Sequence, residues 1–396
     1  MNLKSNSKVL ELNVKKIFLL GFLTNLMFFT PIMVPFFKQE LGFSMQQILM
    51  LEVYFAIGLG VFEVPSGYFA DRYGRRISII IGGFLLFVSF AMYAISQSFL
   101  QFAIANFLTA IGTAFFSGAD SALVFESLDQ IGKKDEYKRV IGNKMFLERM
   151  GALLATGFAG YLFLIGPRIP FYLTVLPFFI FFLISFTLVE TKIHHNIFKA
   201  WDSFKLIVKE SLVENILLRN FLIFAGLPLG FFLMHFFLRQ QYMSDIGVPI
   251  VYFGIIVAIG QFISGLSSKY AYKYEKCLGL KTSLLTLILV PSLVWFLFFT
   301  TKSIYVLPFL IFTDFFWGLA NPIFSDFIQK IVTDDRRATI MSVLSLMMRL
   351  TFILFGSLLG YITDFYNVQW AFFAMAIITL VVGGFCFYKI RKLNTI

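Results

Sequence analysis

Gly67-Tyr68-Phe69-Ala70-Asp71-Arg72-Tyr73-Gly74-Arg75-Arg76 joins two apolar runs, 47–70 and 77–96. Each run approaches or exceeds the ~20 apolar residues with which a helix crosses a hydrocarbon layer roughly 30 Å thick. Gly67 and Gly74 permit close backbone approach and a tight turn. Asp71 can face the positive end of a neighbouring helix, and Arg75 and Arg76 can clamp carboxylates at a helix end. An ordinary basic loop needs no Gly, Asp and Arg at these spacings. Gly67, Asp71, Arg72, Gly74, Arg75 and Arg76 are therefore expected to form a latch between two membrane helices, able to break and re-form.

Outward from this connector, apolar runs recur at 17–37, 98–126, 142–166, 168–190, 219–240, 247–268, 278–300, 303–328, 338–362 and 367–389, twelve in all. With 59% hydrophobic and 14% charged residues, and 54 Phe, a water-soluble globule is excluded, because it would expose large apolar patches. Runs such as Phe178-Phe179-Ile180-Phe181-Phe182-Leu183-Ile184 lack the alternation of barrel strands, so the expected fold is an all-α polytopic membrane protein. Lys and Arg gather in the N-terminus, in the segments after even-numbered runs and in the tail. The opposite side holds only Lys38, Arg168, Arg239 and Lys302, which places both termini in the cytosol. The net charge of +11 is thus a topology and anionic-lipid signal. A nucleic-acid footprint would gather on one face, and no nucleic acid is expected.

The polar stretch Thr191 to Arg219 divides the chain, giving expected units 1–190 and 219–396 with a linker over 191–218. Within it Trp201, Phe204, Leu206, Ile207, Val208 and Leu212 alternate with Lys205, Lys209 and Glu210, as in an amphipathic helix at the cytosolic interface. His194 and His195 read as part of a solvated linker, and no metal site is expected. Cys277 and Cys386 lie far apart and suggest neither a disulfide framework nor a metal cluster. The apolar run from Ile17 is too long for a signal-peptide core, so the N-terminus is expected to be retained.

The stretch 67–76 resembles the signature loop of the major facilitator superfamily, G-x-x-x-D-R-x-G-R-R between the second and third helices, at every signature position. The resemblance implies twelve transmembrane helices in two six-helix bundles, related by an axis along the membrane normal, with substrate held between them near the midplane. It also implies a monomer. The second half departs from the pattern: Gly265-Leu266-Ser267-Ser268-Lys269 carries Lys269 where the acid would stand. Lys138-Arg139 and Arg336-Arg337 are weaker echoes. Asn106-Phe107-Leu108-Thr109-Ala110-Ile111-Gly112 lacks the mid-helix arginine of the drug-proton antiporter branch. Phe116 to Leu123 and Glu63-Val64-Pro65-Ser66-Gly67 are similar to a bacterial, efflux-like branch.

A charge at the centre of a lone helix costs at least about 2.5 kcal/mol and so needs a partner or a task. Asp314 and Arg349 each fall about 16 Å into their runs, near the midplane, and are expected to pair or to bind substrate or a proton. Glu63, Asp120, Glu148 and Arg149 fall about 10 Å from the cytosolic ends and are expected to form a network with Glu126 and the signature loop, either as a structural or gating salt-bridge cluster or, through its excess acid, as a proton-binding site. Asn25, Phe28, Phe231, His235 and Trp317 are cavity candidates, although for His235 a packed or interfacial ring is the favoured alternative. No P-loop, H-E-x-x-H or G-x-S-x-G occurs, so neither ATP use through a P-loop nor an enzyme is expected, and no cofactor. The expected function is secondary transport of a small organic solute across a bacterial cytoplasmic membrane, proton-coupled, with efflux of amphipathic or aromatic compounds in the lead. Uptake of a polar metabolite is the alternative, and a non-transporting scaffold or lipid flippase the rival from another class. Protons and membrane lipids are the other expected partners.

Overall fold

The computed structural model describes residues 3–191 and 208–393, and among these every regular element is helical. The helices are α1 (Leu3–Thr24), α2 (Met33–Gln39), α3 (Met45–Tyr73), α4 (Arg75–Ile95), α5 (Phe99–Phe116), α6 (Ala119–Gln130), α7 (Tyr137–Ile165) and α8 (Ile169–Ser185), followed by α9 (Ile216–Asp245), α10 (Val251–Thr300), α11 (Leu307–Ile331), α12 (Asp334–Phe365), α13 (Val368–Ile378) and α14 (Gly384–Lys392). Eight helices among the described residues are long and apolar enough to cross a membrane. In that reckoning α5 and α6 form one path and α10 counts once, although it turns at Gly279 (φ 76°). Trp201, Phe204, Leu206, Ile207, His194 and His195 lie outside the described residues.

Sequence accounts for the breaks. The first apolar run is interrupted after Thr24, where Asn25 Nδ2 and Thr24 Oγ1 both turn back to the Gly21 carbonyl at 2.9 and 3.0 Å. Pro31, which has no N–H to donate, then sits in a short 3₁₀ turn before α2. The fourth run breaks at Ser117-Gly118, which starts a new helix N-terminus two residues before Asp120. α5 itself opens with a reciprocal cap: Ser98 accepts from the Gln101 N–H while the Gln101 side chain accepts from the Ser98 N–H.

The chain forms two compact units, Met1–Ile32 with Tyr54–Phe198 and Met33–Val53 with Lys199–Ile396. In the first, α1 packs on α7, and α4 packs on α5 and α8. A cluster of Ile17, Leu20, Ile79, Leu123 and Phe181 forms a buried core in it. Phe29 stacks on Phe171 with centroids 4.8 Å apart. In the second, α11 packs on α10, and α9 packs on α12 and α14. Here Phe221, Phe224, Phe231, Trp295 and Phe298 are fully buried. Much of the large Phe content is therefore interior packing.

Candidate functional site

Three ionic arrangements stand out, two in the first unit and one in the second. At the connector, Arg75 Nη2 contacts Asp71 at 2.5 Å and Arg75 Nε reaches Glu126 at 3.4 Å. Thr191 Oγ1 donates to the other oxygen of Glu126. Arg72 turns to the Tyr68 hydroxyl at 3.1 Å, and Arg76 donates to the Phe186 carbonyl at 2.9 Å. The N-terminus of α4 has no side-chain cap from its own N-cap residue, Gly74. Instead Glu190 Oε1 and Oε2 accept the Arg75 and Arg76 backbone N–H groups, each at 3.0 Å. A carboxylate there satisfies two orphan donors and meets the positive end of the helix dipole.

The Glu190 segment is held from α1. Buried Asn13 pairs with both backbone groups of Val189, at 2.8 and 3.0 Å, and Lys16 donates to the Thr187 carbonyl at 2.5 Å. Burial pushes the Glu190 carboxyl above its usual range, the N–H groups of Arg76, Arg75 and Thr191 oppose this, and the charge of Glu126 adds to the rise. The dipole-facing role expected of Asp71 thus belongs to Glu190. Among the described residues, none lies within 4 Å of a Cβ added at Gly67, so no close approach is seen there.

The second arrangement lies where α6 and α7 meet. Lys144 Nζ donates to Asp120 Oδ2 and, at 3.0 Å, to Glu148 Oε1. Asp120 Oδ1 accepts from the Ser121 N–H and, at 3.0 Å, from its hydroxyl. The Asp120 and Lys144 side chains are 5% and 10% exposed. The cation among these acids is therefore Lys144, one turn before Glu148. Arg149, the expected one, points to the exposed face of α7, and Glu63 is half-buried on α3.

In the second unit, Asp314 pairs with Arg239 of α9, where Arg349 was the expected partner. Nη1 of Arg239 lies 2.9 and 3.1 Å from the two carboxylate oxygens. Arg239 had been counted at the outer membrane edge, but α9 continues to Asp245 and buries it about 9 Å inside the helix. Its guanidinium lies over the Phe236 ring, 4.9 Å from the centroid. Helix length is the signal that could have found it. Gly260 of α10 makes the space, since a Cβ there would overlap the Asp314 carboxylate.

One turn before Arg239, His235 is buried rather than cavity-lining. It stands between Trp295 Nε1, 3.3 Å from Nδ1, and Thr313 Oγ1, 2.8 Å from Nε2. Phe231 is likewise core, edge-on to Trp295. Asn25, Phe28 and Trp317 remain half-buried. Trp317 sits edge-on to Phe232 at 5.5 Å, and the Phe28 N–H donates to Thr174 at 3.1 Å.

A profile of the Major Facilitator Superfamily matches residues 17–356. The chain belongs to this family. It is similar over 369 residues, at 25% identity and 89% of each chain, to the uncharacterized MFS-type transporter YxaM of Bacillus subtilis. It is also similar to the vesicular acetylcholine transporter of Mus musculus, at 31% identity over 107 residues, 27% of this chain. That match spans only 20% of the mouse protein. Its fold resembles a crystal structure of the nucleoside transporter NupG, with TM-score 0.75 and 18% identity over 99% of this chain and 100% of the other. The signature loop, the helices and the family agree: this is a multi-pass membrane transporter.

Proposed function

We propose that this MFS protein is a proton-coupled secondary transporter that moves a small organic solute by alternating access across a bacterial cytoplasmic membrane. In this reading twelve crossings form two six-helix bundles, 1–190 and 219–396, with both termini cytosolic and the monomer as the working unit. The carrying observation is the Asp120–Lys144–Glu148 cluster, in which two carboxylates share one ammonium group. The excess acid, at a site with little solvent exposure, can gain and lose a proton during a cycle. The connector around Arg75 acts as the latch.

Efflux of amphipathic or aromatic compounds is the leading direction. Half-buried Phe28 and Trp317 support it, as does a relative named for acetylcholine. A second reading, uptake of a zwitterion or organic anion together with protons, is favoured by the buried Arg239–Asp314 pair.

The test is proton flux in proteoliposomes holding the full chain, with tetraphenylphosphonium and ethidium in one panel and amino acids and organic acids in the other. Solute-stimulated flux is expected in one panel. No flux in either gradient direction would leave a scaffold, and movement of labelled phospholipid alone would mark a flippase.

A further inference from the structure

We infer that Arg239 is an anion-binding residue held in reserve by Asp314, and that an organic carboxylate with an apolar body takes its place on Arg239 when Asp314 accepts a proton. The inference rests on the uptake reading above and names its substrate class.

The pair is asymmetric. Arg239 is 3% exposed in its side chain and Asp314 18%, so the carboxylate is the member nearer to accessible space. A single nitrogen, Nη1, serves both carboxylate oxygens. Among the described residues, none accepts a hydrogen bond from the buried Arg239 Nε. A guanidinium presents donors in a rigid fork that suits two-point contact with a carboxylate, and here part of that fork is unused. Leaving a buried donor unmade is unfavourable, and an incoming oxygen anion would satisfy it.

Charge balance then requires the proton. A buried guanidinium needs one anion, and two anions on one cation would leave an uncompensated buried charge. Before exchange the site holds Arg239 as cation and Asp314 as carboxylate. Afterwards it holds Arg239, the bound carboxylate and Asp314 as neutral acid. One proton enters with one anion, and the net charge is zero in both states. The charge in contact with Asp314 is that of Arg239. The contact from α10 is the uncharged Gly260, and from α9 the remaining titratable neighbour is His235, reached through Thr313. His235 does not supply the proton. Trp295 Nε1 can only donate, so Nδ1 accepts, and Thr313 spends its own proton on the Leu310 carbonyl at 2.6 Å, so Nε2 carries the hydrogen. The imidazole is thereby fixed as the neutral ring. Phe236 under the Arg239 guanidinium and half-buried Trp317, one helical turn after Asp314, are the apolar surface beside the pair.

The probe is benzoate, with benzamide as neutral isostere and benzyltrimethylammonium as cation, titrated calorimetrically into the purified full chain between pH 5 and 8 in two buffers of different ionisation enthalpy. Benzoate is expected to bind selectively with uptake of about one proton, its affinity falling about tenfold per pH unit above the Asp314 titration. Asp314→Asn, which imitates the protonated acid, is expected to bind benzoate with no proton uptake and no pH dependence. Arg239→Gln is expected to weaken binding at least about tenfold, and Arg239→Lys, which lacks the fork, to recover it only in part. Equal binding of all three probes, benzoate binding without proton uptake in the wild type, or no benzoate binding across the range overturns the inference. Solute-stimulated proton flux in liposomes from a protein that shows no benzoate binding would sink the inference while leaving transport intact. Benzoate binding as described with no solute flux in liposomes would instead sink the transport reading and leave the site standing.

Discussion

The carboxylate of Glu190 rests on the first two backbone N–H groups of α4, 3.0 Å from each, in space that exists because Gly74 has no side chain. Gly74 has φ 107°, where L side chains are strained, and an added Cβ would overlap Glu190. Gly67, seven residues earlier in the same motif, has nothing within reach of an added Cβ. The two glycines should therefore respond in opposite directions. Gly74→Ala should destabilise by about 1–3 kcal/mol, whereas Gly67→Ala, inside α3, should be neutral or gain about 0.5–1 kcal/mol. Thermal unfolding of both variants in detergent checks this, and equal midpoints would contradict the assignment of Gly74 as the Glu190 site.

Glu190 also carries a pH signature. Its folded-state titration is raised above the ordinary carboxyl value, chiefly by burial. The folded state then binds the proton more tightly than the unfolded chain. The associated stability is complete below the unfolded value of about 4.5 and is lost as pH rises through the folded one. Relative to Glu190→Gln, the wild type should lose stability as pH rises from about 4.5 through the folded-state titration, a difference read from paired melting curves. A difference that grew in the wild type's favour with rising pH would mean that the helix N-terminus outweighs burial.

Asp71 is 38% exposed in its side chain and holds Arg75 at 2.5 Å within the connector. Asp71→Asn should slow transport while leaving ligand affinity within a few fold, as measured by binding and flux on the same preparation. Complete loss of binding in a folded variant would count against a latch.

The connector motif was legible because its chemistry is local: Asp71 and Arg75 are one helical turn apart, and their contact follows from spacing alone. Glu126 reaches it through Arg75, 51 residues earlier in the chain. Glu190 was not legible, since its target is backbone more than 110 residues away, and no side-chain pattern announces a cap supplied in trans. Lys144 was overlooked for a different reason. At the edge of an apolar run it reads as a loop cation, yet α7 begins at Tyr137 and carries it inward to Asp120. Arg239 failed in the same way at the far end of α9. Apolar runs locate helices well, but polar ends that continue the helix decide which charges become buried partners. For Phe231, position along the run suggests a cavity, and for His235 it leaves both a cavity and a packed ring open. Which side of a helix faces the core depends on neighbours, here Trp295, that the run itself does not reveal.

Removing Lys144 should be costly. Lys144→Gln leaves Asp120, 5% exposed in its side chain, facing Glu148 without a cation. Breaking a buried pair from one side destabilises by about 3–5 kcal/mol. Adding Asp120→Asn should recover much of this, because the stranded charge is then gone, and the double-mutant cycle gives the coupling directly. Independent, additive losses in thermal unfolding would show that the two side chains do not stabilise one another.

His235 offers the sharpest separation between stability and coupling. Trp295 N–H and Thr313 Oγ1 fix it as a neutral ring, with Nδ1 accepting and Nε2 donating. Protonating Nδ1 would set a new N–H against the indole N–H, so the imidazole should stay uncharged across pH 5 to 8. His235→Phe keeps an aromatic of similar shape and removes both bonds, stranding the buried Trp295 donor. Stability should fall by about 1–3 kcal/mol. The pH dependence of proton-coupled flux should keep its shape. If instead an inflection between pH 6 and 7 disappears from the flux profile of a folded His235→Phe protein, the ring does titrate during the cycle. Trp295 must then move away from it in some other state.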